Sequence, residues 1–175
     1  MLSDTRSISE RFAAAKVLVV DDEHFMRKVV RTLLMSLGVR DIYEAHDGIS
    51  GLEAIRSLAP HVVILDWQMP GLDGAAFARI VRSPDTFPFP DVPIIMLTGH
   101  AERARVTEAV EIGVNEFLLK PVSTKALQDR LISVLAKPRP LLCDGNNFKL
   151  APRHAPVPNI HADSDETIAN LVMLN

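Results

Sequence analysis

Val62-Val63-Ile64-Leu65-Asp66-Trp67-Gln68-Met69-Pro70-Gly71 sets an acid at the end of a short aliphatic run and follows it with turn residues. Such a run, apolar on both faces, reads as a strand buried in a parallel sheet. Upstream, Lys16-Val17-Leu18-Val19-Val20 has the same character, and Ile42-Tyr43-Glu44-Ala45 is a second short strand. Downstream come Ile94-Ile95-Met96-Leu97 and Glu116-Phe117-Leu118-Leu119. After each run the apolar period changes to three and four. Met26, Val29, Val30, Leu33, Leu34 and Leu37 form one stripe, which Gly38 ends. Ile49, Leu52, Ile55 and Leu58 form the next, then Phe77, Ile80 and Val81, then a helix from about Ala101 to Ile112, then Leu127, Leu131 and Val134. Five strand-then-helix units predict an α/β fold, a doubly wound five-stranded parallel sheet with helices on both faces.

The chain of 175 residues has room for one ordinary domain and some extra length. At 47% hydrophobic and 23% charged it can bury a real core. No apolar run nears the ~18 residues of a membrane span and no leader is apparent, so a cytoplasmic location is expected and no membrane contact. The single cysteine, Cys143, excludes an internal disulfide. A net charge of −3 gives no general attraction to nucleic acid, which directs the search for partners to proteins. The boundaries read as an N-terminal extension over 1–15, a domain over 16–136, and a proline-containing tail over 137–175. In the tail Asp163 and Glu166 precede an apolar stripe of Ile168, Leu171 and Val172, which reads either as a short helix over 164–174 that docks on its own domain or on a second copy in a homodimer, or as a mostly disordered tail. Between the third helix and fourth strand, the proline-broken stretch 83–91 carries Phe87 and Phe89, expected to bury against the third helix.

In an open parallel sheet, ligands gather at the carboxyl ends of the strands. Asp21 and Asp22 follow the first strand, Asp66 the third, Thr98 the fourth and Lys120 the fifth. Three carboxylates on one rim raise one another's pKa unless a cation neutralises them, and Mg²⁺ suits such a ligand set. One of them can then attack phosphorus while an ammonium and a hydroxyl share the phosphoryl charge. Each residue alone has a plainer reading: helix caps for Asp21-Asp22 and Thr98, a turn for Asp66, a solvated surface charge for Lys120. The joint arrangement favours the chemistry. The six histidines lack ligand spacing, and His100 reads as a loop residue.

With Val-Val-Asp21-Asp22-Glu, Ile-Leu-Asp66-Trp-Gln-Met-Pro70-Gly-Leu-Asp73-Gly74, Met-Leu-Thr98-Gly and Phe117-Leu-Leu-Lys120-Pro121, residues 16 to 136 resemble the receiver domain of bacterial two-component response regulators. The resemblance implies a flavodoxin-like strand order of 2-1-3-4-5 and Asp66 as phosphoacceptor. It further implies Mg²⁺ (or Mn²⁺) held by Asp22, Asp66 and the main-chain carbonyl of Gln68, with Asp21 acting through water, and phosphate contacts from Lys120 and Thr98. A cis peptide between Lys120 and Pro121 is expected. Thr98 and Phe117 are the expected switch pair, and Phe117 lacks the hydroxyl of the tyrosine common there. Gln68 and His100 hold the positions that tune dephosphorylation. The implied donor is a histidine kinase or histidine phosphotransfer protein, and the implied output is binding of a target through the fourth-helix, fifth-strand and fifth-helix face. On this reading the chain is a stand-alone, chemotaxis-type signalling receiver and no enzyme beyond its own phosphorylation and dephosphorylation. The alternatives are a degenerate receiver acting as a constitutive binding module, an aspartate-dependent phosphatase, which Gln68 disfavours by standing where the second Asp belongs, and a flavodoxin-like cofactor binder.

Overall fold

The β-branched runs become five parallel strands: β1 Lys16–Val20, β2 Asp41–Ala45, β3 Val62–Asp66, β4 Ile94–Thr98 and β5 Glu116–Leu119. In the computed structural model, which describes residues 2–83, 85, 87–99, 103–136, 139–144 and 147–151, they lie in the order β2-β1-β3-β4-β5. Among the described residues six helices accompany them: α1 Leu2–Ala14, α2 His24–Ser36, α3 Gly48–Leu58, α4 Gly74–Val81, α5 Arg103–Ile112 and α6 Thr124–Ala136. Strand order and architecture agree with the sequence reading. The helix 164–174, Pro84, Thr86 and His100 lie outside the described residues.

Alternate strand residues feed two separate cores, because successive side chains in a strand point to opposite faces. Leu18, Val20, Val63, Leu65, Ile94, Met96 and Phe117 face α3, α4 and α5, and meet Leu52, Ile55, Phe77, Val81, Ala109 and Ile112. Val17, Val19, Ile64, Ile95, Leu97 and Leu118 face the other way, onto Phe12 of α1, Val30 and Leu34 of α2, and Leu127, Leu131 and Val134 of α6. At about 1.5–3 kcal/mol for each large side chain removed from water, these two layers are the main stabilisation of the sheet.

Two elements add to the reading. α1 packs on the second core through Phe12, and the Arg11 guanidinium donates to the Leu135 carbonyl at 3.2 Å. Past α6, β6 Leu141–Asp144 and β7 Asn147–Leu150 form an antiparallel hairpin within the stretch read as a tail. Phe87 is buried in the same core as Phe77 and Val81 of α4, and Arg56 of α3 covers its ring at 5.0 Å. Phe89 is half-buried beside it.

Candidate functional site

All five strands run the same way, so their carboxyl ends share one rim. Asp21 leaves β1 directly, its amide donating to the Ala45 carbonyl at 3.2 Å. Asp66 is the last residue of β3, and the next amide, Trp67, donates to Leu97 O at 3.0 Å. Thr98 ends β4 and is buried, and its carbonyl accepts from the Lys120 amide at 2.9 Å. Ladder hydrogen bonds thus fix the backbone on which each of these side chains stands. The Lys120–Pro121 peptide is cis.

Gly74 is required by this packing. It follows Asp73, whose carboxylate caps α4 by accepting from Ala76 N at 2.8 Å. A Cβ at Gly74 would stand 2.5 Å from the Asp66 carbonyl oxygen and 2.9 Å from Trp67 Cα. The helix can press against the end of β3 only without a side chain there.

One carboxylate oxygen from each of Asp21, Asp22 and Asp66 can be drawn within 4.8 Å of the other two. Asp21 is fully buried and Asp66 nearly so, whereas Asp22 opens to solvent. The Lys120 ammonium sits between them, 2.9 Å from Asp66 Oδ1 and 3.3 Å from Asp21 Oδ2. Asp21 Oδ1 also accepts from the Glu23 amide at 2.8 Å. Burial pushes the Asp21 carboxyl up against the opposing pull of the Glu23 amide and Lys120. Burial also raises Asp66, outweighing the Lys120 hydrogen bond, and the charges of Asp21 and Asp22 add to the rise. Burial opposes the Lys120 charge too, yet the hydrogen bonds and charges of Asp66 and Asp21 hold the ammonium above its ordinary range. Three carboxylates against one ammonium leave two negative charges uncompensated.

The cap readings for the acidic pair and the turn reading for Asp66 do not describe what these residues do: the N-cap of α2 is Glu23, without a side-chain cap bond, and Asp66 closes a strand. Phe117 is 9% exposed and inside the first core, with its carbonyl accepting from Arg130 Nε at 3.1 Å. Gln68 stands at the rim of a cleft of about 430 Å³, lined also by Trp67, Met69, Pro70, Asp73 and Arg105. Two arginines belong to the site's surroundings and were not in the sequence reading. Arg27, in the first turn of α2, donates to the carbonyls of Asp21 at 2.7 Å and Asp22 at 3.2 Å, pinning the acidic loop. Arg105 lies 5.9 Å from the centre of the Trp67 ring. Its place in the first turn of α5 is the one sequence signal for this.

A parallel sheet wound in this order, with an acidic triad and a lysine at its carboxyl rim, is the flavodoxin-like architecture of receiver domains. Residues 17–132 match the response regulator receiver domain, and the chain belongs to that family of two-component signalling proteins. It is 37% identical over 121 residues to the chemotaxis protein CheY1 of Helicobacter pylori, covering 69% of this chain and 96% of that one. It is 32% identical over 122 residues to CheY-3 of Vibrio cholerae, covering 70% and 92%. Among solved structures, the receiver domain of the sensor histidine kinase PA1611 from Pseudomonas aeruginosa PAO1, described with a magnesium ion coordinated in its active site cleft, superposes with a TM-score of 0.63. It is 27% identical, over 70% of this chain and 98% of that one. Among the described residues, no helix is long and apolar enough to cross a membrane.

Proposed function

We propose that this receiver takes a phosphoryl group onto Asp66 from a phosphohistidine of a histidine kinase or phosphotransfer protein, in a reaction that needs Mg²⁺ (or Mn²⁺). The observation that carries the reading is Lys120 Nζ held 2.9 Å from Asp66 Oδ1 beside two further carboxylates. The donor set suits a hard divalent ion: all oxygens, two negative charges in excess, and one open side at Asp22. Asp22, Asp66 and the Gln68 carbonyl would hold the ion, with Asp21 bound through water. When bound it supplies charge neutralisation and a fixed orientation for the phosphoryl oxygens.

An Asp66 carboxylate oxygen attacks phosphorus in line. The O–P bond forms as the N–P bond to the donor imidazole breaks, and the imidazole leaves with the bonding pair and takes up a proton. Lys120 moves its hydrogen bond from the Asp66 carboxylate to a phosphoryl oxygen, and the Thr98 hydroxyl donates to another. Hydrolysis of the aspartyl phosphate follows from attack by water, and Gln68 and His100 set its rate by steering that water.

The phosphoryl group, which carries about −1.5 to −2 charge where the carboxylate carried one, draws Thr98 inward. Phe117 then keeps the buried position it already has. Without a hydroxyl it leaves no polar group unpaired there. The affected surface is that of α5, β5 and α6, where a target protein binds, as does a second copy of the chain if the receiver dimerises.

Acetyl phosphate with Mg²⁺ is expected to label the wild type and leave Asp66→Asn unlabelled. Equal labelling of both would refute the assignment.

A further inference from the structure

The chain beyond α6 doubles back as a hairpin, with Leu141 opposite Leu150 and Asp144 opposite Asn147. Its base is tied twice. Ala151 N donates to Pro140 O at 2.9 Å, and Arg139 donates to the Ala151 carbonyl through Nε at 3.1 Å and Nη2 at 2.6 Å. A lone two-stranded hairpin is marginally stable in water and gains its order from a surface. That surface is α5, against which β7 runs.

α5 has two neighbours of consequence. Inward, its Ala109 and Ile112 share a core with Phe117, the aromatic of the proposed switch. Outward it carries β7 on one side and keeps Val110 52% exposed, so apolar surface remains on the helix for a partner. It also follows directly on the loop that leaves Thr98. Any shift of Thr98 is therefore felt, through that loop and the core around Phe117, by the helix on which the hairpin rests.

We infer that the β6–β7 hairpin is a built-in occupant of the α5 side of the output surface, held there in the resting receiver and loosened when Asp66 is phosphorylated. The release rests on the function proposed above; the docking does not. A target that binds α5 must displace the hairpin, and phosphorylation lowers that barrier. Linkage makes the effect reciprocal: whatever factor phosphorylation takes from hairpin docking, the docked hairpin takes from the active state. The device needs no separate inhibitory domain, because the occupant is covalently attached and its local concentration is high.

Amide hydrogen exchange tests both halves. Among the described residues the two cores are complete by Leu135, so a chain ending at Ala136 keeps its fold. Full-length protein should protect residues 103–112 about fivefold or more over that shortened chain, the low end of ordinary coupling, with the amides of α2 unchanged. Equal exchange of α5 in the two chains overturns the docking. Arg139→Gln, which cuts the base of the hairpin without shortening the chain, should move α5 in the same direction, and protection identical to wild type overturns the role given to that base. Adding Mg²⁺ and beryllofluoride, a phosphoryl mimic, to the full chain should speed exchange in 141–144 and 147–150 by a similar factor. Unchanged or slower exchange there, with residues 66–69 visibly affected, overturns the release alone. No change at 66–69 overturns the phosphoacceptor reading and the release with it, while the comparison of chain lengths still decides the docking.

Discussion

Arg82 offers the sharpest test of how the loop before β4 is held. It closes α4 and is almost fully buried, with its guanidinium donating to four acceptor contacts. Nε reaches Gly113 O at 3.0 Å, Nη1 reaches Pro90 O at 2.7 Å and Val92 O at 2.8 Å, and Nη2 reaches Asn115 Oδ1 at 3.0 Å. Arg82→Met keeps the aliphatic stem and removes this head. Each hydrogen bond from a charged donor contributes about 1.5–3 kcal/mol. Against them stands desolvation, which lowers the guanidinium pKa from its ordinary range to about 10 and costs roughly 3 kcal/mol at about 1.36 kcal/mol per unit. The bonds win by about 3–9 kcal/mol on these figures, and a net loss toward the low end is expected, about 3–5 kcal/mol, as for breaking a buried ion pair. Urea unfolding followed by circular dichroism should show the midpoint fall with the slope unchanged. Arg82→Lys should fall in between, since an ammonium cannot span the same fork. The pH dependence has a defined sign. Burial lowers the folded-state guanidinium to about 10, below its unfolded value, so the wild type should gain stability relative to Arg82→Met as pH rises above about 10. A loss below about 1 kcal/mol for Arg82→Met would refute the reasoning, because it would mean that the four contacts merely repay desolvation.

Gly74→Ala should cost about 1–3 kcal/mol, since its methyl meets the backbone of Asp66 and Trp67. It should also slow labelling by acetyl phosphate, read as the initial rate. The raised carboxyls of Asp21 and Asp66 contribute stability that is fully present below their ordinary value of 3.8 and lost as pH rises through their elevated folded-state values. In EDTA, Asp66→Asn should therefore melt above the wild type at pH 7, and Mg²⁺ should raise the wild-type Tm more at pH 7 than at pH 5. A scanning calorimeter that finds no Mg²⁺ effect at either pH contradicts this. Arg130→Met should cost about 3 kcal/mol by leaving Glu116 buried without its 3.5 Å partner, and adding Glu116→Leu should return part of the loss.

The fold was legible because each strand is short, β-branched and flanked by helical spacing, and because Val17 and Leu18, like Ile94 and Ile95, each serve a different core. The rim residues were legible for the same reason: topology alone brings Asp21, Asp66, Thr98 and Lys120 together. Contacts that join distant segments were not. Glu116 reads as the polar start of a strand, yet it is buried because Ser133 donates to it at 2.6 Å from α6. Arg82 looks like an ordinary basic residue ending a helix until Gly113 and Asn115 come round to meet it. α1 has only Ile8 and Phe12 to announce its packed face, too few for a periodic signal. The hairpin did leave a trace, Asp144-Gly145 between Leu141-Leu142 and Phe148, a turn pair flanked by apolar residues.

The contact between Arg11 and Leu135 joins residues 124 positions apart. α1 is made before the rest of the receiver, and part of the surface it packs on, α6, is among the last of the receiver to be made. At about 5–20 residues per second the wait is roughly 6–25 s. Throughout that interval Phe12 has no complete core to enter, so the nascent chain carries an exposed aromatic ahead of the unfinished receiver. Slowing translation within the codons for α6 would lengthen that exposure without altering a single residue of the finished protein.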